Sequence, residues 1–410
     1  MRAANPGNVN SHVAGWRSFG KTLRRNTPKG AFWFLGALAS LLQLRTAHAE
    51  DSVTVKAQSW QEADNRIRVD AQYALVEADI TPDAHLKVMG LIDSIAGATP
   101  TGELPTRPGY KNAQMDDRRK AWDANLAYQF QRMNVSVSYG NSRESDYVSN
   151  GYSLNTLTNF NDKNTLLLVG WGHTDDTIME SKLGWTDHRY KTGDDMILGV
   201  TQLISPEMSV TANVSYGHST GFMSDPYKIV STTMWDLDPG TYYTLPENRP
   251  RQKDKISVFL GTNRHFEKLD GALDASYRLY HDSFGITSHT VELKWIQRLG
   301  SHFTVEPLAR YYVQSQADFY YYDLDKAGIG TSVVPSGETG TGAGPFYSSD
   351  YRLSKMETMN LGLKLSWIIN DHCSLDVAYE RYLMRGLDNV TPTSAYVDAN
   401  VFTVGFKLSR

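Results

Sequence analysis

The sequence runs to 410 residues, with 41 Lys+Arg against 45 Asp+Glu and a single Cys. A mean hydropathy of -0.43 excludes a multi-pass helical membrane protein, in which each span needs about 20 apolar residues in a row. The lone Cys excludes a disulfide framework, a Cys-based zinc site, an iron–sulfur cluster and a c-type haem attachment.

Residues 1–49 read as a secretory signal peptide. They hold seven basic residues and no acid. An apolar run, Ala31 to Leu44, is followed by Thr46-Ala47-His48-Ala49, a small-x-small cleavage pattern that puts the cut between Ala49 and Glu50. The alternative, an N-terminal anchor, asks a short run to span a bilayer core of about 30 Å. Cleavage takes Lys+Arg from 41 to 34 against 45 acids, a net charge of −11. Such a chain lacks the clustered cations that nucleic-acid phosphates need.

From residue 50 to 410 the pattern has a period of two. Phe402, Val404, Phe406 and Leu408 alternate with Thr403, Gly405, Lys407 and Ser409. Val291, Leu293 and Trp295 alternate with Thr290, Glu292 and Lys294. Successive strand side chains point to opposite faces, so each segment has one apolar and one polar face. The expected strands are 53–61, 66–80, 84–96, 118–130, 134–145, 147–160, 164–174, 190–204, 208–221, 253–266, 270–283, 288–299, 302–322, 349–369, 372–386 and 394–409. Seven tight turns, from Thr81–Ala84 to Ile369–His372, take turns with longer connections. Two of these are long, near 223–252 and 323–348. Charges on the polar face, aromatics near strand ends and this loop asymmetry mark a bacterial outer-membrane barrel. The fold class expected is therefore all-β: an antiparallel transmembrane β-barrel of about 16 strands, with 14 as the alternative count. A secreted soluble β-protein is the competing class. An even count puts both termini on the periplasmic side. The first strand starts so close to Glu50 that no separate plug domain is expected.

Several ordered motifs carry a family resemblance. They are Gly221-Phe222-Met223-Ser224-Asp225-Pro226-Tyr227-Lys228; Tyr277-Arg278-Leu279-Tyr280-His281-Asp282-Ser283-Phe284-Gly285; Arg310-Tyr311-Tyr312; and Ser348-Ser349-Asp350-Tyr351-Arg352-Leu353-Ser354. Together they resemble the bacterial outer-membrane β-barrel family catalogued as domain of unknown function 3570. The resemblance implies a barrel without an assigned activity. It also implies thioredoxin-like and flavin-transferase gene neighbours, hence a redox-related envelope setting. The final Arg410 departs from the aromatic that usually ends an outer-membrane barrel, with Phe406 as a stand-in.

The expected lumen face holds Asp274, Arg278, Asp282, Glu292, Lys294, Arg298, Glu306, Arg310, Lys364, Asp376 and Glu380. These form either a structural salt-bridge ladder or a selectivity lining. Asp225, Pro226 and Tyr227, like Asp350, Tyr351 and Arg352, read either as strand ends with an interfacial Tyr or as a binding site at the mouth. The pairs Asp236/Asp238 and Asp323/Asp325 offer oxygens to Ca²⁺, but solvated loop acids explain them as well. His281-Asp282-Ser283 cannot converge on one face. His289 and Asp282 flank a tight connection and could approach each other. Without a G-x-S-x-G or H-E-x-x-H motif, no enzyme, metal or cofactor is expected. The expected partners are outer-membrane lipid, small solutes and a periplasmic or surface protein. The functions expected are a porin-like channel or solute-binding barrel, or a closed structural adaptor barrel.

Overall fold

The computed structural model describes residues 51–102, 112–179, 188–232, 243–327 and 344–410. The proposed signal peptide, with Ala49 and Glu50, lies outside the described residues, as do Asp236 and Asp238. Sixteen antiparallel strands close into one barrel, and two more form a separate hairpin. In chain order the strands are β1 (Ser52–Glu62), β2 (Arg68–Thr81), β3 (Ala84–Thr99), β4 (Ala113–Gln129), β5 (Met133–Arg143), β6 (Tyr147–Phe160), β7 (Thr165–Ile178), β8 (Arg189–Ser205) and β9 (Met208–Gly221). The hairpin strands follow, β10 (Ile229–Thr232) and β11 (Tyr243–Pro246). The barrel resumes with β12 (Gln252–Phe266), β13 (Gly271–Asp282), β14 (Thr287–Leu299), β15 (Phe303–Gln314), β16 (Met356–Asn370), β17 (Cys373–Gly386) and β18 (Asp398–Ser409).

Closure leaves no edge strand: β1 pairs with β18 from Ser52↔Ser409 to Glu62↔Ala399. Each of the seven tight turns lies at one end, the turn end. The long connections lie at the other, the loop end. Large apolar side chains remain exposed on the outward face, among them Leu126, Leu154, Leu198, Leu260, Leu293 and Leu363. A soluble protein rarely leaves so continuous an apolar band in water, and lipid is the solvent that suits it. Rings flank the band. Trp122, Tyr139 and Tyr152 touch in sequence toward the loop end, at centroid distances of 5.3 and 5.2 Å. Phe303 and Trp367 stack near the turn end.

Three expected strands change length for a shared reason. The segment expected at 302–322 leaves the ladder after Gln314, the one at 349–369 joins only at Met356, and the one at 394–409 joins at Asp398. Residues 315–322 are rich in β-forming aromatics, but Ala317, Phe319, Tyr320 and Tyr322 are buried in a loop core with Phe284, Ile286 and Leu353. Residues 351–353 and 393–395 make 3-10 turns. No plug domain stands between Asp51 and the first strand at Ser52 among the described residues. No separate plug domain is needed, because the long connections themselves turn inward and cap the loop end. Gly221 starts one of them. Its φ of +118° and an ideal Cβ position 2.3 Å from the Tyr190 carbonyl oxygen admit only glycine.

Candidate functional site

The cap is built from the β9–β12 connection, which carries the β10–β11 hairpin, and the β15–β16 connection. The two segments exchange backbone hydrogen bonds: Asn248 N–H donates to the Tyr347 carbonyl and Tyr347 N–H returns to Asn248, both at 2.9 Å. Val230, Leu245, Leu324 and Tyr347 form a second apolar core there. From this base the first segment crosses the mouth. Ile229 N–H donates to the Thr101 carbonyl in the β3–β4 connection at 3.0 Å, and the Lys228 ammonium donates to the Pro100 carbonyl at 2.5 Å. Tyr227 OH donates to Asp146 in the β5–β6 turn. The β9–β12 connection thus reaches wall six strands away around a sixteen-strand ring.

Six ionisable side chains gather at the cap, four from this connection and two, Asp350 and Arg352, from the β15–β16 connection. Asp225-Pro226-Tyr227-Lys228 is a turn closed by Lys228 N–H to the Asp225 carbonyl at 3.0 Å, with Pro fixing φ at its second position. Arg352 donates to Asp225 at 2.6 Å and to Asp350 at 2.5 Å. Arg249 donates to Asp350 at 2.8 Å and lies 2.7 Å from Glu247. Ser348 OH donates to Glu247 at 2.5 Å. Three carboxylates and three cations balance, and Asp225, Lys228, Glu247 and Asp350 are all buried. Burial would raise the Asp350 carboxyl, but Arg352, Lys228 and Arg249 outweigh it and hold it well below the usual carboxylate range. Burial wins at Glu247, which is raised against the pull of Arg249. Burial also lowers Lys228, whose ammonium lies 5.3 Å over the Tyr351 ring. A cavity of about 140 Å³ adjoins this network, lined by Glu62, Thr99, Lys228, Tyr351 and Arg352 among others. The Asp225–Tyr227 and Asp350–Arg352 triplets, about 125 residues apart in sequence, therefore meet in one cluster.

Below the cap the lumen carries a looser ladder. Asp274 and Lys294 pair across β13 and β14 at 3.1 Å. Glu292 and Arg310 face each other across β14 and β15 at 3.9 Å. Lys364 sits 3.0 Å from Glu306 and 3.8 Å from Asp376. Glu380 accepts from Asn360 at 2.5 Å. Arg298 lies near the turn end, 3.9 Å from Asp270. Arg278 pairs with no carboxylate among the described residues and lies 5.7 Å over the Phe259 ring. Asp282 belongs to the cap rather than the bore. It is buried, pairs with Lys253 at 2.8 Å and accepts from the N–H groups of Phe284 and Ile286.

His289 and Asp282 do not meet. His289 faces outward and hydrogen-bonds Tyr277 OH at 2.7 Å, while Asp282 faces inward. Asp323 accepts from the Asp325 N–H at 3.1 Å, and Asp325 from Thr232 OH at 2.6 Å, as expected of acids that hold a turn. Among the described residues one group of acids could hold a metal: Asp117, Glu144 and Asp146, whose ligand atoms lie within 4.8 Å of one another. Sequence reasoning gave no role to Glu247, Arg249, Lys228 or Ser348, although Lys228 and Ser348 stand inside the motif segments.

A family model described as "Protein of unknown function (DUF3570)" matches residues 31–184 and 180–396. The chain belongs to this family. No curated protein matches it. Solved structures similar in form include a mutant of the ferric enterobactin receptor PfeA from Pseudomonas aeruginosa, at 13% identity and TM-score 0.41, covering 83% of this chain and 54% of that one. A bacterial polysaccharide outer membrane secretin is similar at 9% identity and TM-score 0.45, covering 89% and 100%. A loop-deletion mutant of OmpT, an outer membrane protein of Vibrio cholerae, is similar at 6% identity and TM-score 0.43, covering 88% and 99%. The chain spans about half the length of the enterobactin receptor. These are likenesses of barrel form alone, and no ligand comes with them.

Proposed function

We propose that this protein is an outer-membrane barrel, held closed at rest by its own outer loops, that binds small charged solutes in the lumen beneath them. In this reading the loop end faces outward and the turn end faces the periplasm. The supporting observation is the β9–β12 connection, hydrogen-bonded at Ile229 and Lys228 to the β3–β4 connection across the mouth. A freely open porin would not close its entrance with two apolar cores and a buried ion network. Arg278 is the lumen residue assigned to solute: a guanidinium without a carboxylate ion-pair partner among the described residues, resting on a ring, suits an anionic group. No catalytic step belongs to this proposal.

The cap equally favours a second function, a structural barrel that anchors a periplasmic or surface protein. Planar-bilayer recording separates the two. The wild-type barrel should give no steady current, and a variant with both connections replaced by short turns should conduct. R278Q in that background should reduce anion preference. Steady wild-type current would overturn the closed state. A heat-modifiable loop-deleted barrel that carries no current would leave only the anchoring function.

A further inference from the structure

The outer wall carries a second charged feature, away from the cap. Along β4, alternate residues face outward. From the loop end they run Gln114, Asp116, Arg118, Lys120 and Trp122. The inward neighbour Arg119 is paired with Asp93 at 2.5 Å. Outward, Arg118 and Lys120 are exposed and pair with no acid among the described residues. Lys120 stands directly across the ladder from Arg143 of β5, which is also exposed and without an acidic partner there. Like charges directly opposite destabilise a sheet, so this register carries a cost that an external counter-charge would remove.

Position identifies that counter-charge. Trp122 is the next outward residue below Lys120, and it begins the ring belt Trp122–Tyr139–Tyr152. Such belts mark the membrane–water interface. One outward step along a strand is about 7 Å, which puts Lys120, Arg143 and then Arg118 at headgroup level. Arg matches phosphate bidentately and Lys adds a point charge. Asp116, the one outward acid on this stretch of β4, lies a further step out.

We propose that Arg118, Lys120 and Arg143 bind the phosphate groups of an outer-leaflet glycolipid and hold that lipid against the outer wall. The inference rests on the outer-membrane reading above. The test uses the folded full barrel in mixed micelles of phosphatidylcholine with diphosphoryl lipid A. Native mass spectrometry counts the retained glycolipid. The triple variant R118Q/K120Q/R143Q should retain it about tenfold less or worse. Dephosphorylated lipid A should bind the wild type as weakly, and inorganic phosphate should not displace the lipid.

K120E gives an independent readout. It creates an ion pair across the ladder, so it should raise thermal stability in lipid-free detergent while lowering lipid retention. Equal retention by the triple variant, or equal retention of dephosphorylated lipid A, overturns the proposal. So does a K120E variant that keeps its lipid. Fractionation keeps the two readings apart. A barrel that sediments with outer membranes but ignores lipid phosphate sinks only this inference. A barrel absent from outer membranes sinks the earlier reading.

Discussion

Ion pairs hold both the cap and the lumen, but they differ in kind. In the cap, Asp350 and Glu247 are 1% and 0% exposed. In the lumen, Lys294 and Asp274 are 32% and 42% exposed. A buried pair gives little net stability when intact, because desolvation offsets attraction, yet breaking it leaves a stranded charge. A half-wet pair costs little to make and little to lose. The cap should therefore act as a latch that fails when one ion is removed. The lumen ladder should tolerate substitution and show its effect in solute choice.

The largest expected effect follows from that contrast. R352M strands Asp225 and leaves Asp350 with Arg249 alone among the two arginines. The cap should lose about 3–5 kcal/mol. Limited proteolysis would then cut the β9–β12 or β15–β16 connection while the barrel stays heat-modifiable, and steady current would appear. Wild-type protease resistance in R352M would mean that the apolar cores alone keep the mouth shut.

Acid gives the next test. Asp350 is held below the ordinary carboxylate range by Arg352, Lys228 and Arg249 against the opposing effect of burial. A carboxyl depressed in the fold stabilises it above the unfolded value and gives that up only as pH falls through the folded value. Glu247 is raised by burial, so its protonation on mild acidification relieves a desolvation cost. The cap should stay protease-resistant through the range where ordinary carboxylates titrate and open only in stronger acid. Opening near the pH of a free carboxylate would show that the cations around Asp350 do not protect it.

The barrel was legible in the sequence because lipid imposes a strict rule. Each outward position along Phe402, Val404, Phe406 and Leu408 must be apolar, and tight turns such as Ser205–Met208 set the register. The inward ladder followed from the same parity. The cap was not legible, because no periodicity governs it. Phe319, Tyr320 and Tyr322 belong to an aromatic run of high strand propensity yet fill a loop core. Asp350 reads as a strand end or a mouth site, but its partner Arg249 lies 101 positions away, and only the fold brings the two together.

A third effect isolates one strut. Tyr227 OH donates to Asp146, tying the crossing segment to the β5–β6 turn. Tyr227→Phe should cost the cap about 1.5–3 kcal/mol, the range for a hydrogen bond to a charged group. Fluorescence from a label on the β9–β12 connection would report increased motion, with conductance still closed because the Arg352 contacts remain. Opening as full as that of R352M would make the crossing strut, rather than the buried ions, the principal latch.

The smallest expected effect tests the other side of the comparison. Lys294→Gln removes the 3.1 Å partner of Asp274, in a pair where both side chains keep about a third or more of their exposure. Exposed pairs of this kind contribute about 0–1 kcal/mol, so thermal unfolding of the barrel should scarcely move. In the loop-deleted background the same change leaves the Asp274 carboxylate unpaired in the bore, and charged linings select permeant ions. Reversal potentials should then shift toward cations even though stability does not. A large loss of stability without a shift in selectivity would mean that the lumen pairs, like those of the cap, serve to hold the wall together.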